Sequence, residues 1–185
     1  MSKVLVLYYS AFGYVAVLAS AIADGVRSAG AVADLRRVPE IAPATAATGR
    51  IFNAIEDAPI ALIQDLATYD AIVVGSPTRF GRLSSPIAAF LEQADELLSP
   101  GILKGKVGGA FTSPWGASGG QEAASLSIIT NLLHFGMIVA GPPFNATATS
   151  NATGQRYPSE YDLDGARQQG SLIARTVNRL SQLEA

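Results

Sequence analysis

The sequence predicts a doubly wound α/β protein, one five-stranded parallel sheet of order 2-1-3-4-5 with helices on both faces. Three observations carry this. Strand-like and helix-like segments alternate along the whole chain, the pattern of repeated βα units. The strand segments are near-continuous apolar runs, such as "VLVLYY" at 4–9 and "AIVVGS" at 71–76, as expected of strands buried on both faces. The segments after strands one, three and four ("SAFGY", "SPTRFGR" and "SPWGASGGQE") are rich in Gly, Ser, Thr, Pro and aromatics. They fall at the carboxyl ends of the strands, where such sheets bind ligands.

The elements follow in order. Residues 3–9 read as the first strand. Residues 14–28 read as a helix with Val15, Leu18, Ala19, Ile22 and Val26 on one face. Gly30 ends it, and 31–38 form the second strand. Residues 39–58 are rich in Pro, Ala and Thr and read as an irregular insertion. A short helical turn near 60–67 leads to the third strand, "AIVVGS". Ser85-Pro86 opens a helix, since Pro suits a first helical position. Its inner stripe is Ile87, Phe90, Leu91, Ala94 and Leu98. "KVGGAFTS" at 106–113 is the fourth strand, with glycines that weaken it or admit a close neighbour. A helix over 121–135 stops at Gly136, and "MIVAG" is the fifth strand. Residues 141–160 read as a long polar loop. The last helix, 165–183, turns Ala166, Ile173, Ala174, Val177 and Leu180 inward. No repeat or linker divides the chain, so residues 1–185 are expected to form a single domain.

Composition removes several kinds of chemistry. There is no cysteine, which excludes disulfides, thiolate nucleophiles and thiolate metal sites. A single histidine excludes a multi-histidine metal site, and no metal is expected. A net charge of −2 gives no basic balance for nucleic acid. No apolar run approaches the roughly 20 residues that span a bilayer, and the start of the chain lacks a signal-peptide pattern. A cytoplasmic protein is the expectation.

The chemistry must then lie in the three loops. The first, Ser10-Ala11-Phe12-Gly13, precedes a helix whose free N–H groups favour a phosphate. It contains neither the dinucleotide G-x-G-x-x-G fingerprint nor a Walker loop. The second offers backbone amides, the Thr78 hydroxyl, the Arg79 cation and the Phe80 ring. No arginine stands clearly placed for a 2′-phosphate. The third contains Gly116-Ala117-Ser118-Gly119-Gly120, formally a G-x-S-x-G elbow. The hydrolase reading fails on chain order, because His134 follows Ser118 by one helix where the hydrolase pattern calls for a distant C-terminal loop. The loop fits better as a backbone wrap around a flat ring. His134 stands in the last turn of its helix, where a histidine complements the helix dipole. Together the loops suit a planar ligand with an anionic tail.

Taken together, "KVLVLYYSAFG" at 3–13, "YDAIVVGSPTRFG" at 69–81, "GGQE" at 119–122, "HFGM" at 134–137 and "ARQQG" at 166–170 carry a resemblance. The chain resembles the WrbA-type NAD(P)H:quinone oxidoreductases of the flavodoxin-like superfamily. The resemblance implies FMN as cofactor, NAD(P)H as hydride donor and two-electron reduction of a quinone. It implies a homo-oligomer, a dimer or tetramer. By position, Ser10, Ala11, Phe12, Gly13, Tyr14 and Val15 would hold the FMN phosphate. Pro77, Thr78, Arg79, Phe80 and Gly81, with Ser113, Pro114, Trp115, Gly116, Ala117, Ser118 and Gly119, would line the ribityl chain and the ring. His134 would reach the flavin and, with Arg79, serve catalysis. Phe12, Phe80 and Leu98 would face the substrates.

Some positions depart from the pattern of that family. Phe12 stands where Tyr is common, Tyr14 where a polar residue is common, and Ala16-Val17 replace a polar pair. A segment is missing between Gly141 and Pro143. Fewer side-chain donors at the phosphate predict weaker FMN binding. Two other readings use the same fold: a flavodoxin-like electron carrier, and a flavin-free binding or scaffold protein. The weak net charge argues against an acidic carrier that docks on basic partners.

Overall fold

A computed structural model describes residues 1–41, 58–113, 120–141 and 158–183. The strands are β1 (Lys3–Tyr8), β2 (Val32–Arg37), β3 (Ala71–Pro77), β4 (Val107–Ser113) and β5 (Ile138–Val139). They form one parallel sheet in the order β2-β1-β3-β4-β5, as the sequence predicts. The helices are α1 (Tyr14–Ser28), α2 (Ser85–Glu92), α3 (Asp95–Leu98), α4 (Gln121–His134) and α5 (Glu160–Leu183), with a 3-10 helix over Ile63–Thr68.

The apolar runs are explained by burial on both faces. Successive strand residues point to opposite sides, so the central strands β1, β3 and β4 feed two cores. Val4, Val6, Tyr8, Val73 and Phe111 pack with Leu18, Ile22 and Val26 of α1 and Ile173 and Val177 of α5. Leu5, Leu7, Ile72 and Val74 pack on the other face with Ile87 and Phe90 of α2 and Ile128 and Leu132 of α4. The strand glycines serve this packing. A Cβ on Gly75 would lie 2.1 Å from the Phe111 ring, its register partner on β4. Cβ atoms on Gly108 and Gly109 would press on Leu132 and Ile173 at 3.1 and 3.0 Å. The close neighbours admitted by "KVGGAFTS" are thus core side chains of α4 and α5.

Three expected elements differ. The helix opened by Ser85-Pro86 does not run to 98. The Ala94 N–H bonds to Leu91 O and the Leu97 N–H to Ala94 O, three residues back in each case. That tighter winding rotates the following residues, so Leu97 is buried while Leu98 is 42% exposed, off the inner stripe. The fifth strand pairs only through Ile138 and Val139. Gly141, at φ +100°, turns the chain away after Ala140 has bonded to Gly108 O. The last helix begins at Glu160, not 165. Ser159 and Asp162 form a capping box: the Ser159 N–H and hydroxyl donate to Asp162 Oδ2, and the Asp162 N–H donates to Ser159 Oγ. The expected irregular stretches 39–58 and 141–160 lie largely outside the described residues.

Candidate functional site

The order β2-β1-β3 reverses direction at β1, which opens a crevice beyond the carboxyl ends of β1 and β3. An open cleft sits there, lined by Ser10, Ala11, Phe12, Tyr14, Val15, Pro77, Thr78, Arg79 and Ser113. The sequence loops after strands one and three, with the last residue of β4, therefore converge on one opening.

One wall is the start of α1. Gly13 turns the chain into the helix at φ +86°, a left-handed conformation that glycine adopts without steric cost. Ser10 Oγ accepts the Ala16 N–H at 3.3 Å. The first turn contains no acidic residue. Its backbone N–H groups and the helix dipole are thus set for an anion, with no carboxylate to compete.

The other wall is the β3–α2 connection, held from behind by buried hydroxyls. Ser76 Oγ accepts the Ser84 N–H at 2.8 Å, and the two hydroxyls are in contact at 3.1 Å. The Leu83 N–H donates to Ser127 Oγ of α4 at 2.9 Å. Between these anchors the chain makes a tight hairpin. Arg79 N–H bonds to Arg82 O at 2.9 Å and Arg82 N–H to Arg79 O at 3.1 Å. The two central residues, Phe80 and Gly81, have φ of +52° and +74°. Both positive values define a type I′ turn, usually built from Asn-Gly. Here a bulky residue takes the strained first position, and its ring is 98% exposed. Gly120, which opens α4, packs so closely on the turn that a Cβ there would lie 3.1 Å from Gly81 Cα.

Two buried polar atoms in this region have no hydrogen-bond partner among the described residues, Thr78 Oγ1 and Gln121 Oε1. A buried hydroxyl without a hydrogen bond is costly, and Thr78 lines the cleft. The wall therefore holds unsatisfied hydrogen-bonding capacity beside a space set for an anion. That donor set fits a phosphate bearing a polyhydroxyl chain, the chemistry of FMN.

Of the sequence-predicted residues, Ser10, Ala11, Phe12, Tyr14, Val15, Pro77, Thr78, Arg79 and Ser113 come together here, with Gly13 at the turn into α1 and Phe80 and Gly81 on the adjoining turn. Pro114 to Gly119 lie outside the described residues. His134 and Leu98 do not join the cleft. α4 starts beside the turn at Gly120, and its 14 residues carry His134 about 20 Å away along the helix. Leu98 precedes the turn that leads to the opposite end of β4. Sequence reasoning passed over Arg82, Ser84 and Gln121. The turn signal that exposes Arg82 is the Phe-Gly pair flanked by two arginines, read as a hairpin tip.

Comparison with known proteins gives the family. The model of the family "NADPH-dependent FMN reductase" matches residues 2–152. A NAD(P)H dehydrogenase (quinone) of Cupriavidus metallidurans is 54% identical, over 97% of this chain and 99% of its own length. One from Afipia carboxidovorans is 50% identical over the same shares. Both matches extend over 197 positions, more than the 185 residues here, so these relatives carry residues that this chain lacks. Among solved structures, a WrbA-like flavodoxin from Agrobacterium tumefaciens has a TM-score of 0.74 at 23% identity, covering 97% of this chain and 99% of that one. A flavodoxin from the domain Archaea has a TM-score of 0.68 at 24% identity, covering 95% and 99%. These structures share the fold. With the family model spanning most of the chain and relatives half identical along nearly all of it, this chain belongs to the NADPH-dependent FMN reductase family.

Proposed function

We propose that the chain is an FMN-dependent NAD(P)H:quinone oxidoreductase. The observation that carries this is the cleft where the α1 N-terminus, Ser10 and Thr78 meet at the sheet's switch point, the Thr78 hydroxyl having no partner among the described residues. FMN, when bound, supplies the hydride acceptor for NAD(P)H and the two-electron donor for a quinone. The chain's own residues hold and polarise. Ser10 Oγ already accepts from Ala16, so its proton is left to donate to a phosphate oxygen. The α1 N-terminus adds backbone N–H groups. Thr78 offers its hydroxyl to the ribityl chain. Arg79 lines the cleft and has no carboxylate partner among the described residues, so its charge is directed at the ligand. Phe80 borders the quinone, and Phe12 the nicotinamide side.

The test is direct. Apoprotein titrated with FMN should turn yellow and quench flavin fluorescence, and the loaded protein should oxidise NAD(P)H when benzoquinone is added. A yellow protein that ignores NAD(P)H would indicate an electron carrier. A protein that takes up no FMN would remove both flavin readings.

The homo-oligomer belongs to the same reading. His134 and Leu98 lie far from their own cleft, so a role at the flavin requires another copy to bring them in. Leu98, Ile102, Leu126, Leu133 and Ile138 expose apolar surface around α3, α4 and β5, which supports such a contact. Sedimentation should give a dimer or tetramer. Among the described residues no helix is long and apolar enough to cross a membrane. We place the enzyme in the cytoplasm and take residues 1–185 as a single domain.

A further inference from the structure

The hairpin tip sets two arginines face to face. Arg79 and Arg82 are an antiparallel bridge pair that exchanges both backbone hydrogen bonds. Residues directly opposite in such a pair project to the same side, with Cβ atoms about 5.5 Å apart. Like charges in that position repel, and among the described residues neither guanidinium has an acidic partner. The turn between them is also strained, with Phe80 at φ +52°. A repulsive pair across a strained turn beside a cleft is what a bound anion would reward.

We infer that the Arg79–Arg82 pair binds a phosphate of the pyridine nucleotide, namely the 2′-phosphate of NADPH. This rests on the oxidoreductase reading above. Two features choose that group. Arg79 lines the cleft but Arg82 does not, so the pair sits at the rim, where a ligand reaching out of the cleft would pass. Two guanidinium forks match the near-double charge of a terminal phosphate monoester better than the singly charged groups of a pyrophosphate bridge. The FMN phosphate has its own donors at Ser10 and the α1 N-terminus. The dimension added to the enzyme is thus a preference for NADPH over NADH, set by a residue outside the cleft lining.

The experiment uses Arg82→Ala, which leaves the cleft lining intact, with adenosine 2′,5′-bisphosphate and adenosine 5′-monophosphate as probes. Calorimetric titration of both probes into FMN-loaded and FMN-free protein needs neither hydride transfer nor quinone. It therefore reads the arginine pair even if the enzyme reading fails, a failure that wild type would show separately by refusing FMN or NAD(P)H. Wild type should bind the bisphosphate more tightly than the monophosphate. Arg82→Ala should weaken the bisphosphate about tenfold or more and the monophosphate little. Arg82→Lys should recover only part, because it keeps the charge but not the fork. The KM for NADPH should rise in step while that for NADH holds. The thermal midpoint of the FMN-free variant should stay level or rise as the like-charge pair is relieved. Equal weakening of both probes would assign the pair to the 5′-phosphate side and overturn the 2′-phosphate assignment. Weaker FMN with unchanged probes, or a lower midpoint with unchanged probes, would overturn it as well.

Discussion

At the scale of single residues, Ser10 and Phe80 pull stability and function in different ways. Ser10 serves both, since its oxygen accepts the Ala16 N–H and the residue lines the cleft, which leaves its proton for a ligand. Ser10→Ala should cost the apoprotein about 1 kcal/mol, as loss of a helix cap does. It should also weaken FMN about tenfold or more, the value of one hydrogen bond to a charged group. Urea unfolding and flavin quenching measure the two losses separately. Phe80 should behave oppositely. Its left-handed backbone is unfavourable for a bulky residue, and its ring contributes almost no burial. Phe80→Asn restores the usual type I′ pair and should stabilise the apoprotein by about 1 kcal/mol, while the KM for quinone rises. A less stable variant with unchanged KM would contradict both halves of that argument. Sequence alone identified both residues as site candidates. It could not see that Arg82 faces Arg79, because that depends on which turn type the Phe-Gly pair adopts.

At the scale of elements, boundaries were legible where capping chemistry is local and obscure where tertiary contact decides. α1 matched its expected span because Gly13 and Gly30 bracket it. The start of α5 was legible in principle, since Ser159-x-x-Asp162 is a capping box in plain sequence. The shortness of β5 was not legible, because it depends on α5. Where β5 ends, the Gln169 side chain reaches β4 and donates to Ala110 O at 2.8 Å, taking the place of the next strand N–H. Gln169 sits beside Gly170, which fixes how close α5 lies to α1. A Cβ on Gly170 would come 2.0 Å from Ile22 O, and one on Gly25 would come 2.0 Å from Arg167 O. The "ARQQG" stretch is therefore a docking seam. Gly170→Ala must push the two helices apart and should destabilise the protein by about 3 kcal/mol. Combined with Gly25→Ala, the loss should be smaller than the sum, because one displacement relieves both clashes. Additive losses in chemical denaturation would mean that the two contacts yield independently.

At the scale of the whole molecule, the topology was readable because both faces of the sheet are buried. The runs of β1, β3 and β4 have no polar side to hide, and a doubly covered parallel sheet accommodates three of them side by side at its centre. The same double burial makes stability depend on pH at the alkaline end. Tyr8 is 2% exposed, and burial raises its hydroxyl above the ordinary value of 10.0, partly opposed by Arg37. Tyr69 is raised in the same direction, first by burial and then by its bond to Asp34. Above pH 10 the unfolded chain releases these protons before the folded one does. Their contribution is therefore whole below 10.0 and is lost as pH climbs through the higher folded values. Lys106 works the other way. Its ammonium donates to the carbonyls of Ala67 and Tyr69, yet burial lowers its value below 10.5, so the cost of burying that charge is relieved as pH rises toward 10.5. These opposing slopes blur the wild-type curve, so the Tyr8 part must be read from a difference. The stability difference between Tyr8→Phe and wild type near pH 7 is the reference. That gap should hold up to pH 10 and then move in the variant's favour as pH rises further, because the variant has no phenol to ionise in the core. Urea midpoints of the two proteins from pH 7 to 11 measure it. A gap unchanged across that range would show that Tyr8 does not drive the alkaline loss, leaving Tyr69 to account for it.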